Sequence, residues 1–115
     1  MEFTSCEEND ILELSLNGDL IGENSGSGIL EAANEAINGE VNLCLVDIEN
    51  VKYINSSGIG VLITLLTKFR NQGGEVVIVK PSDHVKKLLI ITKLTAIFKI
   101  SDTREGAAQV LKSIT

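Results

Sequence analysis

Apolar residues along the chain change their spacing several times, and each change marks a new element. From Ile11 to Asn17 they alternate, with Leu12, Leu14 and Leu16 on one side and Glu13, Ser15 and Asn17 on the other. A period of two predicts a half-buried strand. Thr4 to Glu7 precedes it across the turn-forming pair Asn9-Asp10, so the two segments are expected to form an N-terminal hairpin. Val41 to Ile48 does not alternate: Val41, Leu43, Cys44, Leu45, Val46 and Ile48 are all apolar. A strand apolar on both sides must be covered on both sides, which predicts a central strand between layers. Val76 to Val79 is a second such run, and Ile97 to Ile100 a weaker third.

Helical spacing fills the gaps. Ser27 to Asn38 is rich in Ala, Glu and Ile and meets a terminator at Gly39. Ser57 to Gln72 is expected to carry Ile59, Leu62, Ile63, Leu66 and Phe69 on one face and to stop at Gly73-Gly74. Pro81-Ser82 opens a third helix, with Val85, Leu88 and Leu89 inward and Lys86, Lys87 and Lys93 outward. Asp102-Thr103-Arg104-Glu105 reads as a capping box led by Asp102, starting a last helix through Val110 and Leu111. The order β-β-α-β-α-β-α-β-α predicts one α/β domain over residues 1–115. Its mixed sheet has about five strands, with parallel members joined by about four helices.

Composition narrows the function. The 115 residues carry 16 acidic and 10 basic side chains, a formal charge of −6, and only 3% are aromatic. Single-stranded nucleic acid needs stacking platforms and phosphate backbones need positive charge, so direct nucleic-acid binding is not expected. No apolar run approaches the ~20 residues that span a bilayer, and the acidic start Met1-Glu2-Phe3-Thr4-Ser5-Cys6 has no signal-peptide character. Cys6 and Cys44 make no disulfide framework, and one histidine, His84, without Cys-x-x-Cys gives no metal-site spacing. A cytoplasmic domain without metal, cofactor or membrane partner is the expectation.

Chemistry is most plausible in Val51-Lys52-Tyr53-Ile54-Asn55-Ser56-Ser57-Gly58-Ile59-Gly60-Val61-Leu62, which follows a buried strand and opens the most apolar helix. Asn55, Ser56 and Ser57 can each accept a hydrogen bond from first-turn N–H groups, and Gly58 and Gly60 permit close backbone approach. One reading is a helix cap with packing glycines. The other is a phosphorylated serine, because a phosphate brings about −1.5 to −2 charges and a helix N-terminus accommodates them. A hydrolase built on Ser56 or Ser57, His84 and Asp47 lacks the Gly-x-Ser-x-Gly elbow. A phosphoaspartate receiver centred on Asp47 lacks an acidic pair after the first strand, so Asp47 is expected to order the loop that follows it. Gly22 to Gly28 has no lysine and is not a phosphate loop.

Taken together, the chain resembles the STAS domain of bacterial anti-sigma factor antagonists. The resemblance runs through Leu14-Ser15-Leu16-Asn17-Gly18-Asp19-Leu20, Val46-Asp47-Ile48 and Ile54 to Leu62. It continues through Gly73 to Val79, Val85 to Leu89, and Leu94 to Ile100. It implies a non-enzymatic module that binds an anti-sigma factor, often a serine kinase, and so frees a sigma factor. Phosphorylation by that kinase ends the binding, and a PP2C-type phosphatase restores it. The phosphorylated position falls on Ser56, with Ser57 as the alternative. The implied partner surface comprises Asp19, Ile21, Ile54, Asn55, Ser57, Gly58, Ile59 and Gly60. Two residues depart from the family pattern: Asn55 replaces an aspartate, and Ile21 replaces an acidic residue. Both departures remove negative charge near Ser56. A STAS scaffold whose Ser56 only caps the helix is the other reading of the same resemblance.

Overall fold

The computed structural model describes residues 2–20 and 26–114. Among them the elements are β1 (Glu2–Glu8), β2 (Ile11–Asn17), α1 (Gly26–Asn38), β3 (Leu43–Asn50), α2 (Ser56–Arg70), β4 (Glu75–Val79), α3 (Asp83–Ile91), a 3-10 turn (Leu94–Ala96), β5 (Lys99–Ser101) and α4 (Arg104–Ile114). The β1–β2 hairpin turns at Asn9 and Asp10, both at positive φ (54° and 65°), as a two-residue primed turn requires. The sheet runs β1-β2-β3-β4-β5, antiparallel only between β1 and β2. This is the predicted α/β architecture of five strands and four helices.

Each parallel step moves one strand in the same direction. Right-handed crossovers therefore place α1, α2 and α3 on one face, and only α4, after the last strand, is left for the other. The two cores follow that division. Leu12, Leu14, Leu16, Cys44, Val46, Val76 and Ile78 meet Ala33, Leu62, Leu66, Phe69 and Leu89 in the larger one. Ile11, Leu43, Leu45, Val77 and Val79 meet Ala107 and Leu111 of α4 in the smaller. Because β3 and β4 feed both cores, neither can alternate, which is why both read as unbroken apolar runs. Cys44 lies inside the larger core, where burial pushes its thiol pKa up and keeps it neutral. Glu75 is buried beside Arg70, whose Nε and Nη2 reach its carboxylate at 3.0 and 3.3 Å. The same Nη2 donates to the Ile97 carbonyl at 2.7 Å.

Several boundaries differ from expectation. Ile63 is exposed, and Val61 and Leu65 take its place in the α2 interface. The stretch Ile59 to Leu66 is so apolar that periodicity does not single out one face. The last strand is Lys99–Ser101 rather than 97–100. Lys93 adopts φ 62°, and the 3-10 turn that follows uses the amides of Ile97 and Phe98, which donate to the Leu94 carbonyl at 3.0 and 2.9 Å. The cap of α4 is Thr103, whose Oγ1 accepts from the Gly106 N–H at 2.9 Å, while Asp102 stays exposed and faces Lys86. Ser82 caps α3 by accepting from the Val85 N–H at 3.3 Å.

Candidate binding site at the start of helix α2

Two loops leaving neighbouring parallel strands are fused by their backbones. After β2, the Gly18 N–H donates to the Asn50 carbonyl at 3.1 Å and the Leu20 N–H to the Tyr53 carbonyl at 2.9 Å. The Asn55 N–H donates back to the Leu20 carbonyl at 3.3 Å, so Leu20 and Ile54 form a one-residue parallel bridge. Leu20, Val51 and Ile54 anchor this clasp in the larger core. Gly58 makes it possible: a Cβ there would stand 2.2 Å from the Leu20 oxygen and 3.0 Å from Ile54 Cγ2. Gly60 has no such duty, since a Cβ there meets nothing within 4 Å. The packing role expected of both glycines belongs to Gly58 alone.

One of the three possible caps is used. Asn55 has the extended conformation of an N-cap, its Oδ1 accepts from the Gly58 N–H at 2.8 Å, and its carbonyl accepts from the Ile59 N–H at 3.0 Å. Ser56 and Ser57 thereby become the first two helical residues. Both are exposed, and neither hydroxyl takes part in a hydrogen bond among the described residues. The first turn holds no acidic residue, whereas the last turn carries Lys68 and Arg70. The positive end of the helix dipole at Ser56 therefore has no anionic neighbour within its own turn. Asn is as strong an N-cap as Ser, so residue type alone does not single out Asn55 from the two serines that follow it.

The implied partner residues divide by exposure. Asp19, Ser56, Ser57 and Gly60 are exposed, Asn55 and Ile59 are half-buried, and Gly58 and Ile54 are buried. Ile21 lies outside the described residues. Ile54 is only 4% exposed, so it supports the loop from beneath and is not a surface contact. The large apolar groups exposed on this stretch are Tyr53 (49%) and Ile63 (37%). Tyr53 and Ile63 thus flank the serines, a feature not foreseen from the sequence.

Asp47 serves another purpose. Its Oδ1 accepts from the Glu49 N–H at 3.0 Å, a bond within the last residues of β3 rather than in the loop that was expected to follow Asp47. Its Oδ2 accepts from Arg104 Nε at 2.9 Å, and the same guanidinium donates to Glu13 Oε1 at 3.0 Å and to Ser15 Oγ. The Asp47 hydrogen bond holds the Arg104 pKa above its ordinary value. With Asp47 bound to α4 and His84 exposed on α3, no hydrogen bond joins either to Ser56 or Ser57 among the described residues. A Ser-His-Asp constellation is not assembled. The Arg104 cluster was missed because its members are distant in sequence, and Asp47 alone among them drew notice.

Comparison with known proteins gives a consistent answer. The model of the STAS domain matches residues 4–107. A candidate anti-sigma factor antagonist of Thermotoga neapolitana is 32% identical over 100 residues, covering 87% of this chain and 88% of the relative. The crystal structure of a candidate anti-sigma factor antagonist from Thermotoga maritima is similar with a TM-score of 0.85. That match has 26% identity and covers 96% of this chain and 94% of the other. The Bacillus cell fate determinant SpoIIAA in its phosphorylated form shares the fold at 18% identity, with a TM-score of 0.74 over 95% of this chain and 99% of that one.

Proposed function

The chain belongs to the STAS domain family, and from that premise we propose that it is an anti-sigma factor antagonist switched by phosphorylation of Ser56. In this reading the unmodified protein is a non-enzymatic module that sequesters an anti-sigma factor with serine kinase activity and so releases a sigma factor. Phosphate on Ser56 ends the complex, and a PP2C-type phosphatase resets it. The observation that carries the reading is the state of Ser56: an exposed hydroxyl, free of the capping role, on the first residue of a helix with no acid in its first turn.

The physical consequences are favourable for a switch. The N–H groups of Ser56 and Ser57, in the first turn, have no protein acceptor among the described residues, and the two Asn55 oxygens accept from Gly58 and Ile59 instead. A phosphate at this end meets open donors and the positive end of the dipole, so its charge does not threaten the fold. In a complex the same charge is forced into an interface. A loss of about 3–4 kcal/mol there weakens binding on the order of a hundredfold to a thousandfold. The likeness to SpoIIAA, whose structure is described in a phosphorylated form, supports this direction.

Incubation with ATP and the cognate kinase, followed by mass spectrometric mapping, tests the switch; an unmodified Ser56-Ser57 peptide would refute it. Ser56→Ala is expected to keep partner binding and Ser56→Asp to weaken it. Equal binding by both would favour a scaffold whose partner is indifferent to phosphorylation.

A further inference from the structure

The face of the sheet opposite α2 is incompletely covered. Among the described residues one helix, α4, lies on it, packed mainly against β3, β4 and β5. Two adjoining hollows of about 440 and 220 Å³ that share Asn9, Ile11 and Ala108 form an open cleft between α4 and the β1–β2 hairpin. Both ends are tied across. Arg104 at the start of α4 bonds Glu13 and Ser15 of β2, and the Lys112 ammonium donates to the Asn9 carbonyl in the hairpin turn. The two ties lie eight positions apart along the helix, about 12 Å at 1.5 Å per residue.

Between the ties the lining has a consistent chemistry. Ile11 and Ala108 give an apolar floor and wall, while Glu8, Asp10 and Glu105 stand along the rim. These three carboxylates are exposed and form no ion pair among the described residues, since Arg104 is committed to Glu13 and Asp47. An open apolar floor with an anionic rim suits side chains that have an aliphatic stem and a cationic head. A second copy of this chain, at −6, meets the rim with like charge.

We propose that the cleft between α4 and the β1–β2 hairpin is a second docking surface, which takes a short lysine- or arginine-bearing extended segment of a partner protein. A length of about 12 Å accommodates three to four extended residues at roughly 3.3 Å each. The surface lies on the opposite face of the sheet from α2, so its occupation is independent of the state of Ser56.

The test is an NMR titration of the full 15N-labelled chain with the capped peptide Ala-Lys-Leu-Lys-Ala, with Ala-Glu-Leu-Glu-Ala as control. Shifts from the basic peptide alone, concentrated at Asn9–Ile11 and Ala108–Gln109, are expected. Ala108→Lys, which fills the cleft and inverts its charge, should weaken binding about tenfold or more. Glu105→Lys, on the exposed rim, should act in the same direction without touching the floor. Shifts spread evenly over the acidic surface, shifts centred on α2, or binding indifferent to both substitutions would overturn the proposal. So would cleft shifts that depend on protein concentration without peptide, since they would make the occupant a second copy.

Discussion

The starts of α2 and α4 are held by opposite kinds of bond. At α2 the work is done by backbone groups: Leu20 exchanges hydrogen bonds with Tyr53 and Asn55, and Gly58 closes against the Leu20 oxygen. At α4 it is done by charged side chains, with one guanidinium gathering Asp47, Glu13 and Ser15 from two strands. A backbone clasp is indifferent to nearby charge, whereas an ion-pair cluster depends on it. A doubly charged group added at the start of α2 would therefore meet backbone bonds that do not depend on charge. The same addition beside Glu13 and Asp47 would confront two carboxylates already sharing one cation.

The sharpest way to break this contrast is at the glycines of α2. Gly58→Ala introduces a Cβ 2.2 Å from a backbone oxygen, which no side-chain rearrangement relieves. A loss of about 1–3 kcal/mol in denaturant unfolding is expected, similar at low and high salt. Gly60→Ala, two residues along in open space, should instead stabilise by roughly 0.5–1 kcal/mol through helix propensity. Similar effects at the two positions would mean that the clasp does not constrain the helix.

The α4 side should respond differently. Arg104→Met leaves Asp47 and Glu13, whose side chains are 12% and 17% exposed, without their shared cation. The arginine is itself 41% exposed, so solvent screening moderates the cost to about 1–2 kcal/mol. The loss should shrink as salt rises, because salt screens the carboxylates from each other. A salt-independent loss would assign Arg104 a packing role and erase the distinction between the two helix starts.

The same contrast explains what could be read from the sequence. The start of α2 was legible because its determinants are contiguous: an apolar strand, a run of small polar residues, then an apolar helix. Its choice of cap was not, since Asn55, Ser56 and Ser57 are chemically able to do the same job. The clasp itself depends on Leu20, far from Ile54 in sequence, and apolar patterning marks Leu20 only as buried. The Arg104 cluster was illegible for the same reason, its partners lying 57, 89 and 91 positions away. Local pattern also failed where apolar residues are in excess. Ile63 was expected on the buried face where Val61 and Leu65 in fact lie, and Ile97 looked like strand, until packing and the turn at Lys93 decided otherwise.

The smallest predicted effect bears most directly on function. Asn55→Ala removes the oxygen that accepts from the Gly58 N–H and should cost about 1 kcal/mol. Ser56→Ala removes a hydroxyl without a hydrogen-bond partner among the described residues and should change stability by less than about 0.5 kcal/mol. Thermal or denaturant unfolding of the two variants separates the roles. A cost at Ser56 equal to that at Asn55 would make the serine part of the structural cap, so modifying it would disturb the helix itself. A negligible cost leaves Ser56 as a group the fold does not use. Its hydroxyl can then change chemical state while the clasp beneath it, and every surface that the clasp positions, stays where it was.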